Sequence, residues 1–262
     1  MPETVLITGA SAGIGYELAR CFARGGDRLI LVSRSESRLN QVAEELRKEY
    51  QADVHVYPAD LSKPGEAAAL FHRLMDAGLH VDVLVNNAGY GLNGPFVEND
   101  YIEESGMVQV NVTALMELCH LFGAQMVSRG RGKILNVAST AAFQPGPLMS
   151  NYYATKAYVL SFSEGLAEEL RPRGVTVSVL CPGATRTDFF DRAGMHGVRL
   201  ADGMVPVMKA DRVARAGYRG LRKGRVIIIP GIVNKFTAQS VRFTPRWLVR
   251  KLAGYLNGGK NK

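Results

Sequence analysis

Short apolar runs alternate with longer segments of helical spacing along most of the chain. Val5–Thr8 and Leu29–Val32 are continuous apolar runs, typical of strands that are buried on both faces. Between them, apolar residues recur from Ile14 to Arg24 with the spacing of an amphipathic helix that ends at Gly25-Gly26. This alternation predicts an α/β fold, in which a parallel sheet carries helices on both faces.

The alternation continues toward the C-terminus. Further strands are predicted at Val54–Tyr57, Val81–Val85, Lys133–Val137, Val175–Leu180 and Val226–Ile229. Further helices are predicted at Glu36–Tyr50, Ile102–Ser128, Tyr152–Arg171 and Asp211–Lys223. Another helix is predicted to begin near Pro64, a residue that suits a first helical turn. No linker rich in Pro, Gly or Ser divides the chain. We therefore expect residues 1–262 to form a single doubly wound domain, with a variable substrate loop at about 187–210 and a basic C-terminal extension at about 232–262.

Composition and charge narrow the class of protein. The chain is 47% hydrophobic and carries a net charge of +8, but residues 212–262 hold thirteen Lys and Arg and no Asp or Glu. This basic stretch lacks a recognisable nucleic-acid-binding motif, so a nucleic-acid partner is not expected. The apolar run Val226–Ile229 is far shorter than the ~20 residues of a membrane span. Three scattered cysteines favour reduced thiols in a cytoplasmic protein without a metal site.

A glycine-rich segment joins the first strand to the first helix. Gly9, Gly13 and Gly15 allow a sharp turn and a close approach of the backbone to a pyrophosphate, and the helix N-terminus adds free N–H groups. The spacing differs from G-x-G-x-x-G, and three glycines also occur in purely structural turns. Their place directly after a strand favours a dinucleotide site.

The end of the second strand predicts which dinucleotide binds. Ser33 and Arg34 stand where an NAD enzyme places a ribose-binding carboxylate. A guanidinium can pair with a 2′-phosphate, so we expect NADP(H) to be favoured over NAD(H). Arg34 as a solvated loop charge is the alternative. Ser11 and Arg38 are candidate auxiliary phosphate contacts.

The candidate chemistry lies further along the chain. Tyr152 and Lys156 are four residues apart on one helix face, and Ser139 follows a predicted strand. A nearby ammonium stabilises a phenolate, so we expect Lys156 to lower the pKa of Tyr152. Tyr153 is about 100° further round the helix and lacks such a partner. Asn111 is an amide inside a helix, with an exposed polar position as the alternative.

These motifs together resemble the short-chain dehydrogenase/reductase family over nearly the whole chain. Thr8–Gly15 resembles its glycine motif, Asn86–Gly89 its strand-stabilising motif, and Asn111, Ser139, Tyr152 and Lys156 its catalytic tetrad. The resemblance implies a Rossmann fold with strand order 3-2-1-4-5-6-7, and a homodimer or homotetramer. The implied cofactor contacts are Gly9, Ser11, Gly13, Ile14, Gly15, Ser33, Arg34, Asp60, Leu61, Asn87, Ala88, Gly89, Tyr152, Lys156, Pro182, Gly183 and Thr187.

The resemblance also implies roles for the tetrad. Tyr152 exchanges the proton with a carbonyl or alcohol, and Ser139 hydrogen-bonds the reacting oxygen. Lys156 binds ribose while lowering the pKa of Tyr152, and Asn111 holds a water that links Lys156 to a proton relay. The expected activity is interconversion of a carbonyl and an alcohol with a nicotinamide cofactor.

The substrate is expected to be a small hydrophobic ketone, aldehyde or 3-oxoacyl compound. The two segments assigned to it are apolar, through Phe143, Pro145, Leu148, Met149, Phe189, Phe190, Met195 and Met204. These side chains equally fit a completed core or an oligomer contact. The tail around Arg246–Leu252 suits a packed or solvated helix, weak contact with an anionic membrane surface, or an acidic acyl-carrying partner. A non-catalytic NADP(H)-binding regulator and a peripheral membrane protein are the alternative functions.

Overall fold

The centre of the molecule is a parallel sheet, seen in a computed structural model that describes residues 2–195, 198–199 and 207–258. The strands are β1 (Thr4–Thr8), β2 (Arg28–Ser33), β3 (Val54–Pro58), β4 (Val83–Asn86), β5 (Gly132–Val137), β6 (Val175–Leu180), β7 (Thr185–Arg186), β8 (Met208–Lys209) and β9 (Ile227–Ile228). Seven of them form one sheet in the order β3-β2-β1-β4-β5-β6-β9, and β7 pairs with β8 outside it. The predicted order is confirmed, with β9 as the seventh strand of the sheet.

Helices connect these strands. They are α1 (Gly13–Arg24), α2 (Glu36–Tyr50), α3 (Glu66–Asp76), α4 (Tyr101–Val108), α5 (Leu115–Ser128), α6 (Ser150–Leu170), α7 (Phe189–Arg192), α8 (Ala210–Arg222), α9 (Ile232–Ser240) and α10 (Arg246–Asn257). Two predictions need correction. Pro64 precedes α3, whose N-cap is Gly65. The single helix predicted from Ile102 to Ser128 is divided by a π-helical turn over residues 109–114.

Alternate side chains of the strands pack into two separate hydrophobic cores, one on each face of the sheet, as the pattern of apolar runs predicts. Leu6 of β1 packs in the core shared with α3, α5 and α6, whereas Val5 and Ile7 pack in the core shared with α1, α2 and α8. All three side chains are fully buried. The sheet therefore presents its carboxyl-terminal edge, rather than either face, as the place where a ligand can reach the loops.

The helical run from Tyr101 to Ser128 is long and apolar enough to cross a membrane by length and composition alone, with a mean hydropathy of 1.2. Its packing gives another reason for this composition. Leu118, Phe122 and Met126 are almost fully buried in the core on one face of the sheet. Asn111, a polar residue, is buried in the same run.

Candidate active site

A long cleft of about 1780 Å³ follows the carboxyl-terminal edge of the sheet. It is lined by the loops after β1, β2, β3, β4, β5 and β6 and by the start of α6. Single drug-sized ligands occupy sites of about 300–1,000 Å³, so the cleft has room for an extended cofactor together with a substrate. All the cofactor contacts implied by the sequence line it except Gly15.

The loop from β1 to α1 depends on its glycines. Gly9 and Gly13 have φ angles of +64° and +59°, in the left-handed region that favours glycine. A Cβ on Gly15 would lie 2.2 Å from the backbone oxygen of Gly9. Gly15 thus packs beneath the loop, and its direct contact with a cofactor stays a prediction.

Two polar side chains brace this loop against the end of β4. Asn87 Nδ2 donates hydrogen bonds to the backbone oxygens of Thr8 and Gly9, at 3.0 and 3.1 Å. Thr8 Oγ1 accepts from the backbone N–H groups of Asn87 and Ala88, both at 3.0 Å. Sequence reasoning gave Thr8 no role. Its place at the head of the glycine motif is the only sequence signal for this function.

The N-terminus of α1 faces the cleft without a side-chain cap. Ala12 is the N-cap residue and makes no side-chain hydrogen bond to the first turn, while Gly13 and Ile14 line the cleft. The first-turn N–H groups and the positive end of the helix dipole are therefore available to an anion. This arrangement fits the pyrophosphate of a dinucleotide.

Polar groups at the ends of β2 and β3 form one end of the cleft. Ser33 Oγ is buried and has no hydrogen-bond partner among the described residues. The Arg34 side chain is exposed on the cleft wall. Burial raises the pKa of Asp60, but hydrogen bonds from Ser62 and the positive charges of Arg34 and Lys63 outweigh burial and hold the pKa below its usual range. A cation, an unpaired hydroxyl and a carboxylate thus flank the place expected for the adenosine.

The other end of the cleft gathers the residues expected to carry chemistry. Ser139 follows β5, and its Oγ accepts from the backbone N–H of Ala141 at 3.1 Å. Tyr152 and Lys156 lie on the first turns of α6, with Lys156 Nζ 5.8 Å from the centre of the Tyr152 ring. Lys156 Nζ donates to the backbone oxygen of Val137 at 3.0 Å. The structure therefore brings three of the four predicted tetrad residues to the cleft lining. The fourth, Asn111, lies close by, since a Cβ on Gly89 would be 2.8 Å from Asn111 Oδ1 and 3.4 Å from Lys156 Nζ.

Burial dominates the titration of the pair on α6. It raises the pKa of Tyr152 well above its ordinary value, an effect that Tyr153 reinforces and a hydrogen bond from Ser139 opposes. Burial also lowers the pKa of Lys156 to about 8. Burial thus outweighs the lowering of the Tyr152 pKa expected from Lys156, and that lowering stays a prediction. A raised pKa keeps the phenol protonated at neutral pH, but it also moves the group away from the near-neutral pKa that favours proton transfer in catalysis.

Asn111 is the tetrad residue that lies outside the cleft lining. It is 1% exposed in the π-helical turn, so the alternative of an exposed polar position is wrong. Its Oδ1 accepts from the Tyr90 N–H at 3.1 Å, and its Nδ2 donates to Tyr90 O at 2.9 Å and to Thr155 Oγ1 at 3.1 Å. Thr155 Oγ1 in turn donates to the backbone oxygen of Tyr152 at 2.7 Å. Both side-chain N–H groups are used within the protein, and Asn111 fixes the loop after β4 against α6.

An apolar wall adjoins Tyr152. The Phe189 ring centre is 5.3 Å from that of Tyr152, and Met149, Phe190 and Met195 also line the cleft. Three other side chains of the predicted substrate segments, Phe143, Pro145 and Leu148, do not line it. Phe143 instead packs against the core. Met204 lies outside the described residues.

The end of α10 closes the substrate side of the cleft, which sequence reasoning did not foresee. Asn257 is fully buried, and its Oδ1 accepts from Tyr153 Oη at 3.2 Å while its Nδ2 donates to Pro147 O at 3.0 Å. Asn93 Nδ2 donates to the Asn257 backbone oxygen at 3.0 Å. Leu256 lines the cleft. The C-terminal helix is therefore packed, and it joins the loop after β4, the loop before α6 and α6 itself.

Comparison with known proteins agrees with this geometry. The sequence model of the short chain dehydrogenases matches residues 3–196, well over half of the chain. The chain belongs to the short-chain dehydrogenase family. As a member of this family it is an oxidoreductase that acts on a CH–OH group or a carbonyl.

Relatives within the short-chain dehydrogenases include enzymes and solved structures. Ketoacyl reductase HetN of Nostoc sp. is 33% identical over 215 residues, which cover 82% of this chain and 75% of HetN. A short-chain dehydrogenase from Sphingobium yanoikuyae in complex with NADPH is 37% identical, covers 93% of both chains and has a TM-score of 0.82. The bulky-bulky ketone specific alcohol dehydrogenase from Comamonas testosteroni is 32% identical, covers 92% of both chains and has a TM-score of 0.78.

Proposed function

We propose that the protein is an NADP(H)-dependent short-chain dehydrogenase that reduces a hydrophobic ketone, aldehyde or 3-oxoacyl compound to the alcohol. The observation that carries this proposal is the placement of Ser139, Tyr152 and Lys156 at one end of a cleft whose other end holds Arg34. A cofactor site and a proton donor thus share one continuous space.

Each residue has a chemical role in this proposal. The nicotinamide, when bound, supplies the hydride that reduces the carbonyl carbon. Tyr152 gives the phenolic proton to the carbonyl oxygen, and we expect the neighbouring ammonium of Lys156 to oppose the rise in the Tyr152 pKa that burial causes. Ser139, at the end of β5, hydrogen-bonds the same oxygen. Lys156, buried beside the Tyr152 ring, binds the ribose hydroxyls.

The preference for NADP(H) rests on the charge at the end of β2. Arg34 is exposed on the cleft wall beside the unpaired hydroxyl of Ser33, and Arg38 lines the same wall. A guanidinium pairs with a phosphate through charge-assisted hydrogen bonds, each contributing about 1.5–3 kcal/mol. The relative from Sphingobium yanoikuyae, which was solved with NADPH, supports this preference.

The cofactor preference is tested by Arg34→Asp. Loss of the attraction and the added repulsion should weaken NADPH binding by at least roughly tenfold and leave NADH binding within about twofold. Arg173→Asp is the matched control, since Arg173 is exposed after α6 and lies outside the cleft. Equal losses for NADPH and NADH in Arg34→Asp would contradict the assignment.

The substrate class rests on the apolar wall beside Tyr152. Phe189, Phe190 and Met195 offer area for a hydrophobic substrate, and thioether side chains adapt to varied shapes. The names of the similar ketoacyl reductase and ketone-specific alcohol dehydrogenase support the same class. A panel of hydrophobic ketones, aldehydes and 3-oxoacyl thioesters, assayed by the loss of NADPH absorbance, tests it. Reduction of small polar carbonyls alone would contradict the assignment.

Members of the family commonly form oligomers, and we extend the proposal to a homodimer or homotetramer. Light scattering of the purified protein measures its mass in solution directly. A monomer at all concentrations would refute this part of the proposal without affecting the assigned chemistry.

A further inference from the structure

Helix α9 borders the active-site cleft and also carries a strongly apolar outer surface. Val233, Thr237 and Val241 recur every four residues from the start of the helix into the turn that follows it, and all three line the cleft. Ile232 and Phe236 lie on a neighbouring face and are 84% and 75% exposed. The helix therefore lines the cleft with one face and carries exposed apolar side chains on the neighbouring face.

The turn after α9 extends this outer surface. Phe243 is 88% exposed, more than any other Phe, Tyr or Trp side chain among the described residues. A protein that keeps large apolar side chains in water commonly uses them to bind a partner or a membrane. We call Ile232, Phe236 and Phe243 the α9 apolar surface.

Cations surround the α9 apolar surface. Lys235 is exposed on α9, Arg242 on the turn that follows it, and Arg246 at the start of α10. Neither α9 nor the following segment contains a carboxylate side chain, since residues 212–262 hold no Asp or Glu. Exposed aromatic and aliphatic side chains bordered by Lys and Arg are the composition of segments that lie on anionic membranes.

A second exposed apolar region of the chain has the opposite charge. Tyr101 and Ile102 are 80% and 76% exposed at the start of α4. Their exposed neighbours in sequence are the acidic residues Glu98, Asp100 and Glu103. Apolar exposure combined with positive charge thus occurs at α9 and also at α10, where Trp247 and Leu252 are 55% and 54% exposed, and the acidic α4 region offers an internal control.

We propose that the α9 apolar surface docks onto an anionic membrane, with Phe236 and Phe243 entering the interface and Lys235, Arg242 and Arg246 facing the lipid headgroups. The charge complementarity favours this occupant over a second copy of the chain. A two-fold contact through the same face would place the cations of one copy against those of the other.

Docking at this face has a consequence for the substrate, which rests on the proposed function. Because α9 contributes both to the cleft lining and to the α9 apolar surface, a docked protein holds this part of the cleft close to the bilayer interface. An amphiphilic carbonyl compound dissolved in the membrane is then the favoured substrate class, in preference to a water-soluble one. The docking itself does not depend on catalysis.

The direct test is flotation of the full chain with vesicles of phosphatidylglycerol and phosphatidylcholine, compared with phosphatidylcholine alone. We expect binding to the anionic vesicles only. Phe236→Ser with Phe243→Ser should reduce the bound fraction by at least roughly tenfold, through loss of the inserted rings. Lys235→Glu with Arg242→Glu should do the same, because each cation near an anionic surface changes the affinity by roughly fivefold.

The matched control is Tyr101→Ser with Ile102→Ser, which removes equally exposed apolar groups from acidic surroundings and should leave binding unchanged. Thermal unfolding and NADPH binding of each variant verify that the fold is retained. Equal binding to both vesicle types, no binding, or binding insensitive to the α9 variants would overturn the proposal. A fall in oligomeric mass in Phe236→Ser with Phe243→Ser would also overturn it, because a second copy would then cover this face.

Activity distinguishes this proposal from the proposed function. If the docked protein reduces long-chain carbonyls faster when anionic vesicles are present, and a short soluble carbonyl at an unchanged rate, both proposals stand. Vesicle binding without any NADPH-dependent reduction would reject the proposed function and retain the docking. NADPH-dependent reduction without vesicle binding would reject the docking and retain the proposed function.

Discussion

The substitution Gly15→Ala tests whether the loop after β1 binds the cofactor. The added Cβ would lie 2.2 Å from the Gly9 oxygen and 2.5 Å from Asn87 Nδ2, and the Gly9 backbone is itself held by Asn87. Overpacking of this kind lowers the free energy of unfolding by about 1–3 kcal/mol, and the better helix propensity of alanine offsets up to about 1 kcal/mol of this loss. We expect urea unfolding to show a net loss of about 1–2 kcal/mol.

The same shift should displace the loop that receives the pyrophosphate, so the Kd for NADPH, measured by fluorescence titration, should rise by at least roughly tenfold. Gly165→Ala is the matched control, because Gly165 is also helical and a Cβ there meets no atom within 4 Å. It should raise stability by about 0.5–1 kcal/mol and leave the Kd unchanged. Unaltered NADPH affinity in a folded Gly15→Ala protein would refute the reasoning.

Two further predictions concern buried polar groups. Asn257→Ala should lower the free energy of unfolding, measured in urea, by about 2–4 kcal/mol, because Tyr153 Oη and Pro147 O lose their partners. Asn40→Ala, at an exposed position of α2, is the control and should change it by less than about 0.5 kcal/mol. Because burial lowers the pKa of Lys156 from 10.5 to about 8, the unfolded chain binds more protons in that window, and this group makes stability rise with pH there. Lys156→Met should remove that rise, on the order of 3 kcal/mol, and a rise of equal size in the variant would contradict the assignment.

Elements that depend on local pattern could be predicted closely from the sequence. Helix α2 and strand β6 have the predicted bounds, Glu36–Tyr50 and Val175–Leu180. The first combines strong amphipathic spacing with a Ser35 N-cap. The second is a valine-rich segment, interrupted by Thr176 and Ser178, between Gly174 and Pro182. Their boundaries are determined by residues next to them in the chain.

The π-helical turn at 109–114 could not be predicted, because the apolar spacing continues through it. The partners of Asn111 that accompany the turn, Tyr90 and Thr155, are 21 and 44 residues away. Sequence reasoning therefore identified the residue but not what its side chain contacts. The raised pKa of Tyr152 escaped prediction for a related reason, since burial depends on packing from several elements.

The role of Asn257 illustrates a signal that was present but not used. Val249, Ala253 and Asn257 recur every four residues in α10, and all three are buried. A polar residue on the buried face of an amphipathic helix needs a hydrogen-bond partner. That argument could have singled out Asn257, but not its partners Tyr153 and Pro147, which are 104 and 110 residues away.

The central claim is that the Tyr152 phenol delivers the proton beside a bound NADPH. Its most direct test is the turnover of Tyr152→Phe on the best substrate of the carbonyl panel, with NADPH affinity measured in parallel. The account predicts that kcat falls by roughly 10²–10⁴ while the Kd for NADPH is unchanged, and that Tyr153→Phe keeps most of the wild-type kcat. A Tyr152→Phe protein that retains wild-type turnover would contradict the account.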